Sequence, residues 1–307
     1  MDLPMNKKPA IITPADLDYV AVSNSILALC GRYPFLKRST LGKSVLGKDL
    51  HLLTLGEGPE IVLYAGAFHG MERLTTMLLL FFTEQLCRTL EADGKIGGIA
   101  VRKAFYGRTL ALMPLVNPDG CDIALKGLAG AGPQAATLFK QSGGELHRWN
   151  ANARGIDLNH NFNAGFALQR EQEQKEGYHQ PGPTRYGGTR PESEPESTAL
   201  ADFCRTRNVV QTLAFHSQGE EIYWRYGDRM PPRSAALARL LAVSSGYTLS
   251  EPEGIASHGG FKDWFIEALD RPGFTIEIGK GQNPLPPGHL LPIYDRLEEM
   301  LMLGFLL

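Results

Sequence analysis

His69 and Glu72, an imidazole and a carboxylate three residues apart, lie where a strand is predicted to end and a helix to begin. The apolar run 61–64 is typical of a buried strand, and the apolar run 74–82 is typical of a buried helix. A tight turn between them would bring both side chains to one point. A catalytic zinc site of the His₂Glu type adds one more histidine and leaves its fourth position to water. Taken alone, the pair is more often an ordinary surface turn.

His216 is the candidate for the third ligand. It stands at the end of the apolar run 209–215, which predicts another strand. In open α/β sheets, ligands bind outside the carboxyl ends of the parallel strands, so His216 is expected to face the turn that carries His69 and Glu72. Without those partners it would be interpreted as a solvated strand-end histidine. Together the three residues predict a zinc site.

Glu277 lies within a third apolar strand. Alternation places Phe274, Ile276 and Ile278 on one face of this strand and Thr275 and Glu277 on the other. A carboxylate in such a strand is costly unless it is paired or used. Zinc lowers the pKa of a coordinated water toward about 7, and hydrolysis then needs a general base. We therefore predict that Glu277 is this base; the alternative is a solvated glutamate on an edge strand.

Strands and helices alternate along the chain, which indicates an α/β fold with a largely parallel sheet. We expect one domain over 1–307, with a helical lead-in over 1–40 and an irregular, site-forming segment over 127–195 that includes a possible lid at 127–145. Residues 156–159 are predicted to be extended. The other predicted elements are a helix over 15–35, a β-hairpin over 44–55, strands over 61–66, 109–116, 209–215 and 274–279, and helices over 73–92, 192 to about 207, 234–245 and 289–304.

The bulk properties exclude several classes of protein. The net charge of −2 shows no excess of basic residues of the kind that nucleic-acid-binding proteins carry. No apolar run reaches about 18 residues, so no membrane span is predicted. The N-terminus lacks the apolar core of a signal peptide, and the four scattered cysteines have no CxxC spacing. We expect a cytoplasmic protein; the sequence leaves its oligomeric state open.

Six motifs occur in order from about residue 40 to the end: His69-x-x-Glu72, Asn117-Pro118-Asp119-Gly120, Gly155-Ile156-Asp157-Leu158-Asn159-x-Asn161-Phe162, His216-Ser217-Gln218, Gly259-Gly260-x-x-Asp263-Trp264 and Thr275-Ile276-Glu277. This order resembles the zinc metallocarboxypeptidase family of carboxypeptidase A. The resemblance implies a single α/β domain with a mixed, mostly parallel, eight-stranded twisted sheet flanked by helices. It also implies that His69, Glu72 and His216 bind Zn²⁺ and that Glu277 is the general base.

Two positions depart from the digestive members of that family. Their clamp for the substrate carboxylate is an Asn-Arg pair, whereas this sequence has Asn159-His160. Arginine is a permanent bidentate donor, and histidine is charged only part of the time. Their substrate-capping tyrosine is replaced by Ile255. Both changes argue against a general C-terminal exopeptidase.

A further set of runs is similar to the bacterial γ-D-glutamyl-diamino acid endopeptidases, which cut the γ-D-Glu–diaminopimelate bond of peptidoglycan stem peptides. These runs are Arg185-Tyr186-Gly187-Gly188, Glu194-Pro195-Glu196, His216 to Trp224, Asp263-Trp264-Phe265, Arg271 to Thr275 and Gly279 to Pro286. No wall-binding module precedes the matching residues. We therefore expect a cytoplasmic enzyme that handles recycled wall peptides.

The resemblance also suggests residues that contact the substrate. Lys262 lies in the loop that shapes the leaving-group pocket of the family and could pair with a diaminopimelate carboxylate; a solvated surface lysine is equally plausible. Arg148 is the preferred candidate to stabilise the oxyanion, and Arg154 is the second. His258 is a candidate substrate contact, as are Asn159 and His160.

Three hypotheses remain open. The first is a zinc peptidase that hydrolyses the γ-D-glutamyl–diaminopimelate bond of muropeptides. The second is a broad metallocarboxypeptidase that acts on ordinary peptides, with His160 partly replacing the clamp. The third is a peptide-binding relic of the fold without catalysis, against which Glu277 argues because a binding module needs no base.

Overall fold

The computed structural model describes residues 9–251 and 254–307, and of residues 255–256 only the backbone. Part of the expected lead-in over 1–40 and the side chain of Ile255 therefore lie outside the described part. The strands are β1 (Lys37–Lys43), β2 (Asp49–Gly56), β3 (Glu60–Gly66), β4 (Lys95–Ile96), β5 (Ile99–Ala100), β6 (Arg108–Met113), β7 (Val209–His216), β8 (Glu221–Tyr223), β9 (Thr248–Ser250) and β10 (Gly273–Glu277).

Helices cover much of the remaining described chain. They are α1 (Tyr19–Arg32), α2 (Arg73–Glu91), α3 (Val101–Ala104), α4 (Pro118–Lys126), α5 (Leu128–Ala131), α6 (Ala135–Ser142), α7 (Phe166–Lys175), α8 (Pro195–Thr206), α9 (Ser234–Ser245), α10 (Phe261–Leu269) and α11 (Leu290–Leu306). Short 3₁₀ turns occupy Gly132–Gln134, Leu158–His160, Gly254–Ser257 and Pro287–His289. Within the described residues, no helix is both long enough and apolar enough to cross a membrane.

Eight strands form one mixed sheet in the order β1-β2-β6-β3-β7-β10-β8-β9. The four central strands, β6, β3, β7 and β10, are parallel to one another, and β2 and β8 run antiparallel to them at either side. This architecture confirms the predicted α/β class and the mostly parallel sheet. It also means that β3, β7 and β10 end at the same edge.

Strand β3 shows why the sheet is buried on both faces. Val62 and Tyr64 belong to the larger core, which is shared with helices α1, α2, α9 and α11. Leu63 and Ala65 belong to the second core, which is shared with α8 and α10. Successive side chains of a strand point to opposite faces, so an unbroken apolar run suits a strand covered on both sides.

The structure departs from the sequence-based prediction in three places. The first hairpin strand lies at Lys37–Lys43, before the predicted 44–55 hairpin, and only the turn and second strand coincide with it. The segment 127–195 is less irregular than predicted, because it contains α5, α6 and α7. Leu158–His160 forms a 3₁₀ turn instead of an extended piece, because the Asp157 carboxylate accepts a hydrogen bond from Asn159 N at 3.2 Å.

Helix α2 packs against the end of β3 through Leu79, which is fully buried. A side chain at Gly66 would lie only 3.1 Å from Leu79 Cδ1, so the helix and the strand end are in close contact there. We predict that Leu79→Ala lowers the free energy of unfolding by about 2–5 kcal/mol through lost contacts and a residual cavity. Urea denaturation measures this change.

Leu168→Ala is the matched control for that substitution. Leu168 is 54% exposed on α7, so the same change should alter the free energy of unfolding by no more than about 0.5 kcal/mol. Equal effects at the two positions would contradict the packing described here.

Candidate active site

The turn after β3 is fixed by backbone contacts on both sides. Gly70 N donates to Asn150 O at 3.0 Å. A Cβ at Gly70 would lie 2.3 Å from Gly120 O and 2.4 Å from Trp149 O, so only glycine fits at this position of the turn. At the start of α2, the Thr75 hydroxyl donates to Glu72 O at 2.8 Å. The turn therefore holds both functional side chains in one place.

His69, Glu72 and His216 converge at the ends of β3 and β7. Their potential ligand atoms all lie within 4.8 Å of one another. Glu72 Oε1 lies 2.9 Å from His69 Nδ1, and Glu72 Oε2 lies 3.1 Å from His216 Nδ1. The two Nδ1 atoms are 3.3 Å apart. Three side chains from two distant parts of the sequence thus present their donor atoms to one point.

These donors fit a tetrahedral zinc. Around zinc with ligand bonds of about 2.0–2.1 Å, neighbouring donors in a tetrahedron lie about 3.3 Å apart. The three observed separations, 2.9, 3.1 and 3.3 Å, are close to this value. Two imidazoles and one carboxylate also form the donor set of a catalytic zinc site. His69, Glu72 and His216 could therefore hold the ion.

The surrounding charges favour a cation at this point. Burial alone would raise the pKa of Glu72, but His69 and His216 outweigh it and lower the pKa to about 2. Burial alone would lower the pKa of His69, but the negative charges of Glu72 and Asp157 hold it well above its ordinary value. Burial lowers the pKa of His216, which keeps that ring neutral and available as a ligand.

Two contacts orient the imidazoles. Asp157 Oδ1 lies 3.2 Å from His69 Nε2, on the far side of the ring from Glu72. The negative charge of Asp157 is itself stabilised: burial opposes it, but His69, His160 and Arg185 N lower the pKa of its carboxyl. The ring of His216 stacks on Phe68, with centroids 5.0 Å apart. Such contacts fix which nitrogen of a metal-binding histidine faces the metal.

Glu277 lies beside this cluster. Its Cα is paired with that of His216 in the register of β10 on β7. Its carboxylate makes no hydrogen bond or ion pair with another described residue, and it lines the same pocket as His69 and His216. Burial and the negative charge of Glu72 raise the pKa of Glu277 well above its ordinary value. An unpaired carboxylate of raised proton affinity is suited to accept a proton.

The pocket has a cavity volume of about 170 Å³. It contains four of the predicted substrate-binding residues. These are Asn159, His160, His258 and Lys262. Asn159 Oδ1 accepts a hydrogen bond from Phe261 N at 3.0 Å, and His258 Nδ1 lies 2.8 Å from Tyr226 Oη. The wall of the pocket that contains Glu277 therefore carries several polar side chains.

The two candidate arginines lie elsewhere. Arg148 is exposed and does not line the pocket. Arg154 is 53% exposed and pairs with Glu194 at 3.3 Å, which is consistent with a role in holding the loop. The structure brings neither guanidinium to the pocket, so it gives no support to the oxyanion role predicted for Arg148.

Asp157, Asp263 and Tyr223 occur in the quoted motifs and runs, but sequence reasoning assigned none of them a role. In the structure, Asp157 contacts His69, and Asp263 and Tyr223 line the pocket. Asp157 offered a weak signal, because it is an acidic residue between the apolar Ile156 and Leu158. Tyr223 lies on β8, and its approach to Glu277 depends on strand pairing that the sequence pattern does not reveal.

A largely buried His–Glu–His cluster beside an unpaired glutamate, at the strand ends of an α/β sheet, is typical of a metal-dependent hydrolase. A family model described as zinc carboxypeptidase matches residues 23–299. The chain therefore belongs to the zinc carboxypeptidase family and is a zinc metallopeptidase.

Individual relatives agree with this assignment. The chain is 35% identical over 298 residues to gamma-D-glutamyl-L-diamino acid endopeptidase 1 of Lysinibacillus sphaericus, covering 94% of this chain and 72% of that protein. It is 33% identical over 291 residues to protein YqgT of Bacillus subtilis (strain 168), covering 92% and 76% respectively. Bovine thrombin-activatable fibrinolysis inhibitor, solved with tick carboxypeptidase inhibitor, superposes with a TM-score of 0.73 at 20% identity, covering 95% of this chain and 97% of that chain. The last comparison shows the shared fold.

We predict that His216→Ala abolishes stoichiometric zinc binding, because two ligands remain where three are needed. Elemental analysis of purified protein should give one zinc per chain before the substitution and almost none after it. His147→Ala is the control, since His147 is an exposed histidine outside the pocket. Full zinc content in His216→Ala would contradict the ligand set.

Proposed function

We propose that this peptidase hydrolyses the γ-D-glutamyl–diaminopimelate amide bond of peptidoglycan stem peptides. The observation that carries the proposal is a buried lysine, Lys262, in the wall of the pocket that also contains Glu277. The similarity to the Lysinibacillus endopeptidase, over most of both chains, supports the same substrate class.

Lys262 is 4% exposed, so its charge must be compensated within the protein. Its ammonium donates to Arg225 O at 2.6 Å and to the Asp263 carboxylate. An ammonium has three donors, which leaves one for a substrate. Burial raises the pKa of Asp263, although the Lys262 charge opposes this shift. A diaminopimelate side chain ends in a carboxylate and an ammonium, and the Lys262–Asp263 pair offers a complementary charge to each.

A zinc ion bound by His69, Glu72 and His216 would acidify a water and polarise the scissile carbonyl. Glu277 accepts the proton from the attacking water and donates it to the leaving amine. Its carboxylate can take part in both transfers because it lines the pocket and no described residue pairs with it. The polar side chains of the pocket wall orient the leaving group.

We predict that Glu277→Gln retains zinc and binds substrate but loses turnover by about 10²–10⁴-fold, because an amide of the same shape cannot accept the proton. Single-turnover kinetics with zinc analysis measure this. Glu171→Gln, an exposed glutamate on α7, should behave as wild type. Wild-type turnover in Glu277→Gln would refute the base assignment.

The substrate is tested by mass spectrometry on the zinc-loaded protein. The substrates are L-Ala-γ-D-Glu-meso-diaminopimelate and a set of ordinary peptides with free and amidated C-termini, each with and without chelator. We expect chelator-sensitive release of diaminopimelate. Removal of C-terminal residues from ordinary peptides, with strict dependence on their free carboxylate, would instead support a broad metallocarboxypeptidase. Binding without cleavage would support a peptide-binding relic.

Lys262→Met should weaken the preference for diaminopimelate over lysine as the leaving residue. Lysine lacks the distal carboxylate, so the ratio of the two kcat/KM values should fall by roughly 10–100-fold, as expected for a charged hydrogen bond. Lys280→Met, at a lysine with a 71% exposed side chain outside the pocket, is the control. An unchanged ratio in folded Lys262→Met would remove Lys262 from substrate recognition.

A further inference from the structure

Asn117 lies directly against the turn over residues 67–72, which carries His69 and Glu72. It is fully buried, and it stands between strand β6 and helix α4. Its backbone nitrogen donates to Ala67 O at 3.0 Å. The chain around Asn117 is therefore in contact with the turn that carries two of the predicted metal ligands.

The side-chain amide nitrogen of Asn117 faces three backbone carbonyl groups. Nδ2 lies 3.0 Å from Phe68 O, 3.0 Å from Asn150 O and 3.1 Å from Ala151 O. Asn150 O also accepts a hydrogen bond from Gly70 N at 3.0 Å. The two hydrogens of the amide are thus shared among three acceptors, one in the metal-binding turn and two in a separate segment. This side chain therefore clamps the metal-binding turn to that segment.

The oxygen of the same amide has a different partner. Asn117 Oδ1 accepts a hydrogen bond from Gly120 N at 2.8 Å, which makes Asn117 the N-cap residue of α4. Turning the amide over would place its oxygen against three carbonyl oxygens and its NH₂ group against an N–H donor. The partners at both ends therefore fix the orientation of the amide. An ionised aspartate could cap the helix equally well, but it has no hydrogen to donate to the three carbonyl groups.

The turn itself contains a strained residue that needs support. Ala67 has a φ of +51°, in the left-handed region that residues other than glycine rarely adopt. Its nitrogen donates to Thr75 Oγ1 at 2.7 Å, and its oxygen accepts from Asn117 N. Such a conformation persists only where surrounding contacts hold it. The contacts of Asn117 therefore oppose relaxation of the turn at a point two residues before His69.

Phe68 connects the clamp to both histidines. Its carbonyl group accepts from the Asn117 amide and is bonded to the backbone nitrogen of His69. Its ring is fully buried and stacks on the ring of His216, with centroids 5.0 Å apart. A shift of Phe68 would therefore move one histidine through the chain and the other through the ring contact.

We propose that Asn117 is a positioning residue of the metal centre. Its amide nitrogen holds the Phe68 carbonyl, and this contact sets the positions in which His69 and His216 present their nitrogens to a zinc ion. Ligands that are already in place lose little conformational freedom when the ion binds, so the clamp increases the affinity for zinc. Partners outside the ligand set commonly change metal affinity by about 10–100-fold. The inference concerns the metal centre and does not depend on the identity of the substrate.

Asn117→Asp separates the clamp from the helix cap. The aspartate keeps the oxygen that accepts from Gly120 N, but its second oxygen would face three carbonyl oxygens. We expect the dissociation constant for zinc to rise by about 10–100-fold. The measurement uses the full chain after removal of metal, and zinc is titrated in competition with a chromophoric chelator. A wild-type zinc affinity in folded Asn117→Asp would overturn the proposal.

Asn117→Ser is a second variant, without the added negative charge. The serine oxygen remains a good N-cap acceptor, whereas the amide nitrogen is removed. We expect the zinc affinity to fall by about 10-fold. A wild-type affinity in this variant would mean that Asn117 serves only as the cap of α4, which would overturn the proposal. If circular dichroism shows that Asn117→Asp does not fold, Asn117→Ser decides.

Leu297→Ala controls for a general loss of stability. Leu297 is fully buried on α11 and does not line the pocket, so its truncation destabilises the fold without removing the clamp. Its zinc affinity should stay within about twofold of the wild type, because sites that share no contacts act almost independently. Urea denaturation with and without zinc gives a second readout: the stabilisation by zinc should shrink in the Asn117 variants and stay unchanged in Leu297→Ala. An equal loss of zinc affinity in Leu297→Ala would overturn the positioning role.

Discussion

The site depends on the parallel pairing of β3, β7 and β10. Because these strands run in the same direction and lie side by side, their carboxyl ends meet at one edge of the sheet. His69, His216 and Glu277 stand at or just beyond these ends, more than 200 residues apart between the first and the last. The register Glu277↔His216 fixes their separation. A one-residue slip of β10 would turn Glu277 away from the pocket and into the apolar core.

Burying two carboxylates at this edge of the sheet is energetically unfavourable, and the neighbouring histidines offset that desolvation cost. Glu72 and Asp157 are both buried, and each is held in its charged form by histidine. In the absence of a cation, two carboxylates in such a small volume compete for the proton of His69. A divalent cation held by His69, Glu72 and His216 would offset this negative charge, so metal binding would stabilise the folded geometry of the turn. Glu277 stays outside this network, which leaves its carboxylate free for chemistry.

The segment over 127–195 supplies the other side of the pocket. Asn161 holds it in place through hydrogen bonds from Nδ2 to Gly187 O at 2.7 Å and to Ser193 Oγ at 2.9 Å. Helix α7 adds the buried amide and carboxylate behind His160. Polar groups inside this segment are thus paired largely with one another. Such pairing holds the loops between the helices of this segment against the pocket.

The sequence by itself determined the α/β class and the convergence of His69, Glu72 and His216, because these follow from apolar runs and from polar residues at strand ends. The family followed from the resemblance of six motifs in order. The unusual place of Glu277 was also visible, since a carboxylate interrupts an apolar alternation. The local sequence pattern is enough to predict such features, because the end of a strand is marked by the residues that directly follow its apolar run.

Only the tertiary structure showed that Arg148 and Arg154 lie outside the pocket. It also showed which side chains contact His160. Arg148 lies close in sequence to pocket residues, yet it is exposed, because the direction of a loop side chain depends on packing that no local pattern encodes. Gln169 and Glu173 occupy a polar helix that reads as a solvated surface, but both are fully buried. Gln169 Nε2 lies 2.6 Å from His160 Nδ1, so this buried contact joins α7 to the turn at Leu158–His160. A contact between side chains that are distant in sequence exists only once the chain is folded.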